Sequence, residues 1–121
     1  MKLPLFGQKK TEEPEESEPF RWLSLPEAQD LIARGQVQLI DVREPWEYGS
    51  GHIPGARNIP LNALLRQPRQ HLTSDNLLFV CAVGERSAVA CEMAAALGFK
   101  QVYNISGGTD GWIGKGYAVE K

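Results

Sequence analysis

An unbroken apolar run, Leu77-Leu78-Phe79-Val80, is the feature that most narrows what this chain can fold into. Its residues do not alternate with polar ones, so both faces of the segment must be covered. That suits a central strand of a mainly parallel sheet. A tight loop follows, Cys81-Ala82-Val83-Gly84-Glu85-Arg86. After it Val89, Met93 and Leu97 recur at helical spacing, with Ala90, Ala94, Ala95 and Ala96 between them, and the spacing predicts a helix over 87–97. Cys81 therefore sits where a strand ends and a helix is about to begin. In open parallel sheets, sites form there, outside the carboxyl ends of the strands.

The chemistry follows from that position. The first turn of a helix has backbone N–H groups without intrahelical partners. The helix dipole places about half a positive charge at the same end. A thiolate held there is stabilised, and its pKa falls. Arg86 adds a charge that does not titrate at working pH. Gly84 lets the backbone turn so that several N–H groups face inward as an anion nest. Cys81 is thus a candidate nucleophile. The competing reading is an inert buried thiol, since free Cys is among the most buried residue types. The strand–Cys–Gly–Arg–helix context favours the nucleophile.

Cys81-Ala82-Val83-Gly84-Glu85-Arg86-Ser87 resembles the active-site loop of rhodanese-domain sulfurtransferases. Leu39-Ile40-Asp41-Val42-Arg43 resembles that family's second strand, and the stretch 48–59, with Gly51-His52-Ile53-Pro54-Gly55-Ala56, resembles its signature near the start of the domain. Gly98-Phe99, Gly107-Gly108 and Trp112 fall where its last strand and helix lie. The resemblance spans about Phe20 to Gly116. It implies an α/β fold with a small, mainly parallel central sheet of about five strands and helices on both faces. It also implies an activity. Cys81 would attack a sulfane sulfur donor, thiosulfate or a persulfide, and become a persulfide. The loop N–H groups of Ala82, Val83, Gly84, Glu85 and Arg86 would hold that sulfur. A thiophilic acceptor, cyanide or a thiol, would remove it, and either donor or acceptor can be a protein. Asp41, Arg43, His52 and Ser87 would support the loop without attacking the substrate.

Each supporting residue also has a plainer reading. Asp41 satisfies loop N–H groups, as carboxylates at loop starts commonly do, and Arg43 pairs with a nearby carboxylate. His52 is either the base of a Cys–His dyad or a ligand of its own loop beside the Ile53-Pro54-Gly55 turn. The second is favoured, because a helix end and Arg86 already lower the thiol pKa. Cys91 lies five residues past Arg86, so it is roughly 8 Å or more away along a helix at about 1.5 Å per residue. A disulfide needs Cα atoms within about 7 Å, and Cys91 reads as a core residue. His71 reads as surface. Two His and two Cys at these spacings make no metal site, and no cofactor is called for.

Two other functions compete. A Cys-dependent phosphatase or arsenate reductase needs a loop wide enough for a tetrahedral oxyanion and places its Arg further along; here Arg86 is only five residues after Cys81. The smaller cradle fits a terminal sulfur better. A non-catalytic rhodanese-like interaction module would tend to lack the Cys. Ala82 is a departure, because several thiosulfate-using members carry a basic or polar residue there. Less positive charge then remains for a dianion, which points to a persulfide donor.

The chain divides at residue 19. Thr11 to Pro19 holds five Glu and two Pro with no apolar residue, a composition that cannot bury enough surface to offset ordering. Residues 1–19 are expected to be a disordered acidic tail or, with Leu3, Leu5 and Phe6, a docking arm. Residues 20–121 are expected to form the domain. They carry ten basic and ten acidic residues, and this neutral body offers nucleic acid no footprint. No run has the length of a membrane span, and Leu3 to Phe6 is too short for a secretory signal. The expected location is the cytoplasm. Along the domain, Phe20–Leu23 and Val37–Val42 read as strands. Ser24 and Glu27 read as a capping box, and Gly35 as a helix stop. Glu44–Gly51 reads as a helical turn and Ala56–Ile59 as a strand. A turn over 62–67 should face Leu61, Leu64 and Leu65 inward. Gln67–Asp75 reads as loop, Val102–Ile105 as the last strand, Ser106–Trp112 as glycine turns that either rim the active face or make tight connections across the sheet edge, and Gly114–Lys121 as a polar tail.

Overall fold

A computed structural model describes residues 19–121. The expected tail and its docking-arm reading lie outside the described residues, apart from Pro19. Five strands form one sheet: β1 Arg21–Leu23, β2 Gln38–Asp41, β3 Arg57–Asn58, β4 Leu77–Val80 and β5 Val102–Ile105. Their order is β1-β5-β4-β2-β3, and every pairing is parallel. β4 is central, with Ile40 opposite Phe79 on one side and Leu78 opposite Tyr103 on the other.

The apolar run of β4 is split between two cores. Leu77 and Phe79 point to one face, where Leu61 and Leu64 of α3 (Leu61–Arg66) and Ala90, Cys91 and Ala94 of α5 (Glu85–Ala96) cover them. Leu78 and Val80 point to the other, against Ala28 of α1 (Leu25–Ala33), Tyr48 of α2 (Pro45–Gly49) and Trp112 of α6 (Gly108–Gly114). All four residues are fully buried, each stabilising the fold by about 1.5–3 kcal/mol. The expected α/β sheet with helices on both faces is what is found. α1 begins as read, with Ser24 Oγ accepting from Glu27 N–H and Glu27 Oε1 accepting from Ser24 N–H.

α5 turns Ser87, Ala90, Cys91 and Ala94 inward and leaves Val89 43% exposed. The helix lies close over the sheet, where small side chains fit. Four local expectations are corrected. Leu65 is exposed, while Leu64 is buried. Gln67–Asp75 contains a short helix, α4 (Pro68–His71), whose first position suits Pro68. The glycine turn at Ser106 leads into α6, and the segment beyond Gly114 is tied down. Tyr117 packs edge-on against Trp112 at 4.8 Å, Trp112 Nε1–H donates to Ala118 O at 2.8 Å, and Glu120 exchanges both backbone bonds with His52. Backbone pairing of this kind leaves no mark in a polar sequence.

Candidate active site

β4 ends at Val80, and Cys81 is the first residue beyond it. Gly84 then turns the chain with φ +113, the left-handed region, and serves as the N-cap of α5. The turn brings the first residues of α5 back over the sulfur. Cys81 is 1% exposed. Its Sγ accepts from Gly84 N–H at 3.1 Å, Ser87 N–H at 3.3 Å and Ser87 Oγ–H at 3.3 Å. Burial alone pushes the thiol pKa up. The Ser87 hydroxyl and the N–H groups of Ser87, Gly84 and Val83 outweigh it and hold the thiol below its ordinary value.

The loop's carbonyls are turned away from the sulfur. Cys81 O accepts from Thr109 N–H at 2.8 Å, and Ala82 O accepts from Asp110 N–H at 3.0 Å. In a trans peptide the N–H points opposite the C=O. Anchoring those two carbonyls on α6 therefore aims the Ala82 and Val83 N–H groups to the opposite side of the loop. The approach is close enough to require Gly108, which has φ +62 and backbone against backbone with Cys81 and Ala82. Asn104 Nδ2–H adds a bond to Gly84 O at 3.1 Å. The start of α5 thus supplies the donors to Cys81 Sγ, while the start of α6 and the buried Asn104 amide hold the loop's carbonyls.

The sequence leaves Arg86 two roles, a positive charge at the sulfur or a lock on the loop, and the structure gives that guanidinium a partner. Arg86 forks onto Glu47 of α2, with Nη1–Oε1 at 2.9 Å and Nη2–Oε2 at 3.0 Å. Glu47 Oε1 also accepts from Glu44 N–H at 2.9 Å, so the pair ties the loop to α2. Arg86, and then the Glu44 N–H, hold the Glu47 carboxyl down to about 2 from its ordinary 4.5. A depressed carboxyl stabilises the fold above its unfolded value and loses that contribution as pH falls toward the folded one. Arg86 is 37% exposed, so solvent screening discounts the pair, and Glu47→Gln should cost about 1–2 kcal/mol at pH 7. Chemical denaturation at several pH values checks this: the gap between variant and wild type should close between pH 4.5 and about 2.

Asp41 and Arg43 pair with each other. Arg43 Nη2 lies 2.8 Å from Asp41 Oδ2 and donates to Gly51 O at 2.9 Å, while Arg43 N–H donates to Asp41 Oδ1 at 3.0 Å. Asn58 Nδ2–H binds the carbonyls of both residues, at 3.0 and 2.9 Å. The cluster pins the strand end and the stretch leading to His52. His52 stacks on Tyr48 with centroids 3.7 Å apart. Its Nδ1 is 2.9 Å from Tyr48 O, and its Nε2 is 3.8 Å from Glu120 Oε1. Both ring nitrogens thus face these groups rather than Cys81. Cys91 is a free, buried thiol whose Sγ–H donates to Tyr103 O at 3.4 Å, and burial pushes its pKa up. Ser87, Ala82, Val83, Gly84, Glu85 and Arg86 are brought together around Cys81. Glu47, Asn104 and Gly108 join them; the sequence places neither Glu47 nor Asn104 at the site and leaves the turn with Gly108 as either its rim or a tight connection. Only the Gly107-Gly108 pair carried a local signal. Among the described residues, no group of three or more His, Cys, Asp or Glu is placed to hold a metal, and no helix is long and apolar enough to cross a membrane.

The chain is similar to known proteins over most of its length. A human thiosulfate:glutathione sulfurtransferase is 34% identical over 77% of this chain and 93% of its own length. A putative sulfur carrier protein of Bacillus subtilis, YrkF, is 35% identical over 65% of this chain, which spans 43% of that protein. Among solved structures, a rhodanese-related protein of Thermoplasma volcanium superposes with a TM-score of 0.74 at 33% identity, covering 84% of this chain and 98% of its own. The family model for the rhodanese-like domain matches residues 24–115, and with the sheet, loop and cysteine in these positions the chain belongs to the rhodanese-like domain family.

Proposed function

We propose that the chain is a sulfurtransferase that carries sulfur as a persulfide on Cys81. The observation that carries this reading is the buried Cys81 Sγ, held by three donors at the carboxyl edge of the sheet. The thiolate attacks the outer sulfur of a donor. The donor's S–S bond breaks, and its electron pair leaves with sulfite or with the donor thiolate. Cys81 then bears a persulfide anion within the inward N–H groups of Ala82 and Val83. An acceptor thiolate, such as glutathione's, or cyanide attacks the outer sulfur. The Sγ–S bond breaks, its pair returns to Sγ, and the acceptor departs as a persulfide or as thiocyanate.

Charge at the site bears on the donor. Arg86 is committed to Glu47 and Arg43 to Asp41, and Glu85 and Asp110 are exposed beside the loop. No unpaired cation among these residues faces a sulfonate. A persulfide on a small thiol or a protein suits the site better than dianionic thiosulfate. The same pairing removes Arg86 from service as a phosphate ligand. Both cysteines are free thiols, which suits a reducing compartment such as the cytoplasm.

The test loads the full chain with thiosulfate or with glutathione persulfide, removes the donor, adds cyanide and assays thiocyanate. One thiocyanate per chain is expected, with faster loading from the persulfide. Hydrolysis of an aryl phosphate without any thiocyanate would replace this reading with a phosphatase. Neither product would leave an interaction module.

A further inference from the structure

β5 reads Val-Tyr-Asn-Ile, and Asn104 interrupts it. Asparagine is depleted in strands, and this one is fully buried. It shares a strand face with Val102, which packs in the core beneath α5. Its Oδ1 has no hydrogen-bond partner among the described residues, a standing cost for a buried acceptor. The amide makes one bond, from Nδ2–H to Gly84 O at 3.1 Å. That carbonyl already accepts from Ala88 N–H at 3.1 Å, so Asn104 does not rescue an orphan. What it does is connect two parts of the site. Gly84 is the N-cap of α5, and the three donors to Cys81 Sγ all lie on Gly84 and Ser87. The sulfur is carried by β4, which pairs with β5 at Phe79 and Asn104.

We propose that Asn104 is a positioning residue for Cys81: its amide ties the N-cap of α5 to the sheet and so holds Gly84 and Ser87 at bonding distance from the sulfur. The assignment rests on Cys81 being the reacting group, but it is tested on the thiol alone. Looser donors stabilise the thiolate less, so the thiol titrates at higher pH.

The pH dependence of iodoacetamide alkylation reads this directly in the full chain. Asn104→Val and Asn104→Ala should raise the titration midpoint of Cys81 by roughly half to one pH unit. At a fixed pH below the midpoint, alkylation then slows about three- to tenfold. Ser87→Ala, which deletes one donor, sets the scale. Val102→Ala opens a cavity on the same face of β5; it should lower the melting temperature and leave the midpoint in place. Asn104 variants that fold with the wild-type midpoint would overturn the proposal. So would a Val102→Ala shift as large as theirs, or failure of both Asn104 variants to fold, since Asn104 would then be a general support of the fold. A raised midpoint in a chain that accepts no sulfur from any donor would keep the positioning role and remove the sulfurtransferase reading. An unmoved midpoint in a chain that does transfer sulfur would do the reverse.

Discussion

Cys81→Ser folds normally and transfers no sulfur: that is the expected result with the largest effect on activity. The hydroxyl can accept from the same donors, Gly84 N–H, Ser87 N–H and Ser87 Oγ, so the loop keeps its shape. An alcohol at this position stays protonated at neutral pH, and no base stands beside it, because His52 is engaged with Tyr48. It also cannot store a sulfane sulfur in a labile S–S bond. Thiocyanate formation should fall by at least about a thousandfold. The melting temperature should stay within about 5 °C, the shift that roughly 1 kcal/mol produces in a domain of this size. Residual turnover near the wild-type rate would mean that another group carries the sulfur.

Gly108→Ala has the largest expected effect on structure. A Cβ at this position would lie 2.6 Å from both the Ala82 carbonyl carbon and the Cys81 oxygen, and φ is +62. The neighbours are backbone atoms, so no side chain can swing aside. Relief requires α6 to back away, which breaks the Thr109 and Asp110 bonds to the Cys81 and Ala82 carbonyls. Strain and lost bonds together should destabilise the fold by at least about 3 kcal/mol. Loop carbonyls released from α6 can rotate toward the sulfur and oppose its thiolate. The alkylation midpoint of Cys81 should therefore rise in whatever fraction stays folded. Gly114→Ala is the control: nothing lies within 4 Å of its added Cβ, and both thermal unfolding and alkylation should match wild type.

The sequence showed the parts of this site that depend on local pattern. Leu77–Val80 had to be covered on both faces, and in the structure its side chains divide between two cores. Gly84 was read as the turn that gathers N–H groups, and its φ of +113 is that turn. Ser24 and Glu27 announced a helix start through a reciprocal pair three residues apart. What the sequence hid depends on distance along the chain. Glu47 and Arg86 are separated by 39 residues, and no periodicity links them. Asn104 reaches Gly84 across 20 residues, and inside a short apolar strand it looks like a weak β residue. The face that α5 buries is not legible in periodicity alone, which picks out large side chains such as Val89 and Met93, whereas a helix pressed against a central strand buries the small Ala90, Cys91 and Ala94. The glycines at 107 and 108 were visible, but only the backbone shows that they let α6 touch the loop.

The most direct test of the account is where the sulfur goes. The wild-type chain is incubated with glutathione persulfide, freed of donor, and its intact mass is recorded before and after cyanide. Peptide mapping under non-reducing conditions then locates any added atom. The account predicts a gain of one sulfur, on the peptide containing Cys81, lost on adding cyanide with formation of an equal amount of thiocyanate. Cys91, buried on the sheet-facing side of α5 with its thiol pKa pushed up, should carry none. No mass gain, or a sulfur found on Cys91, would contradict it.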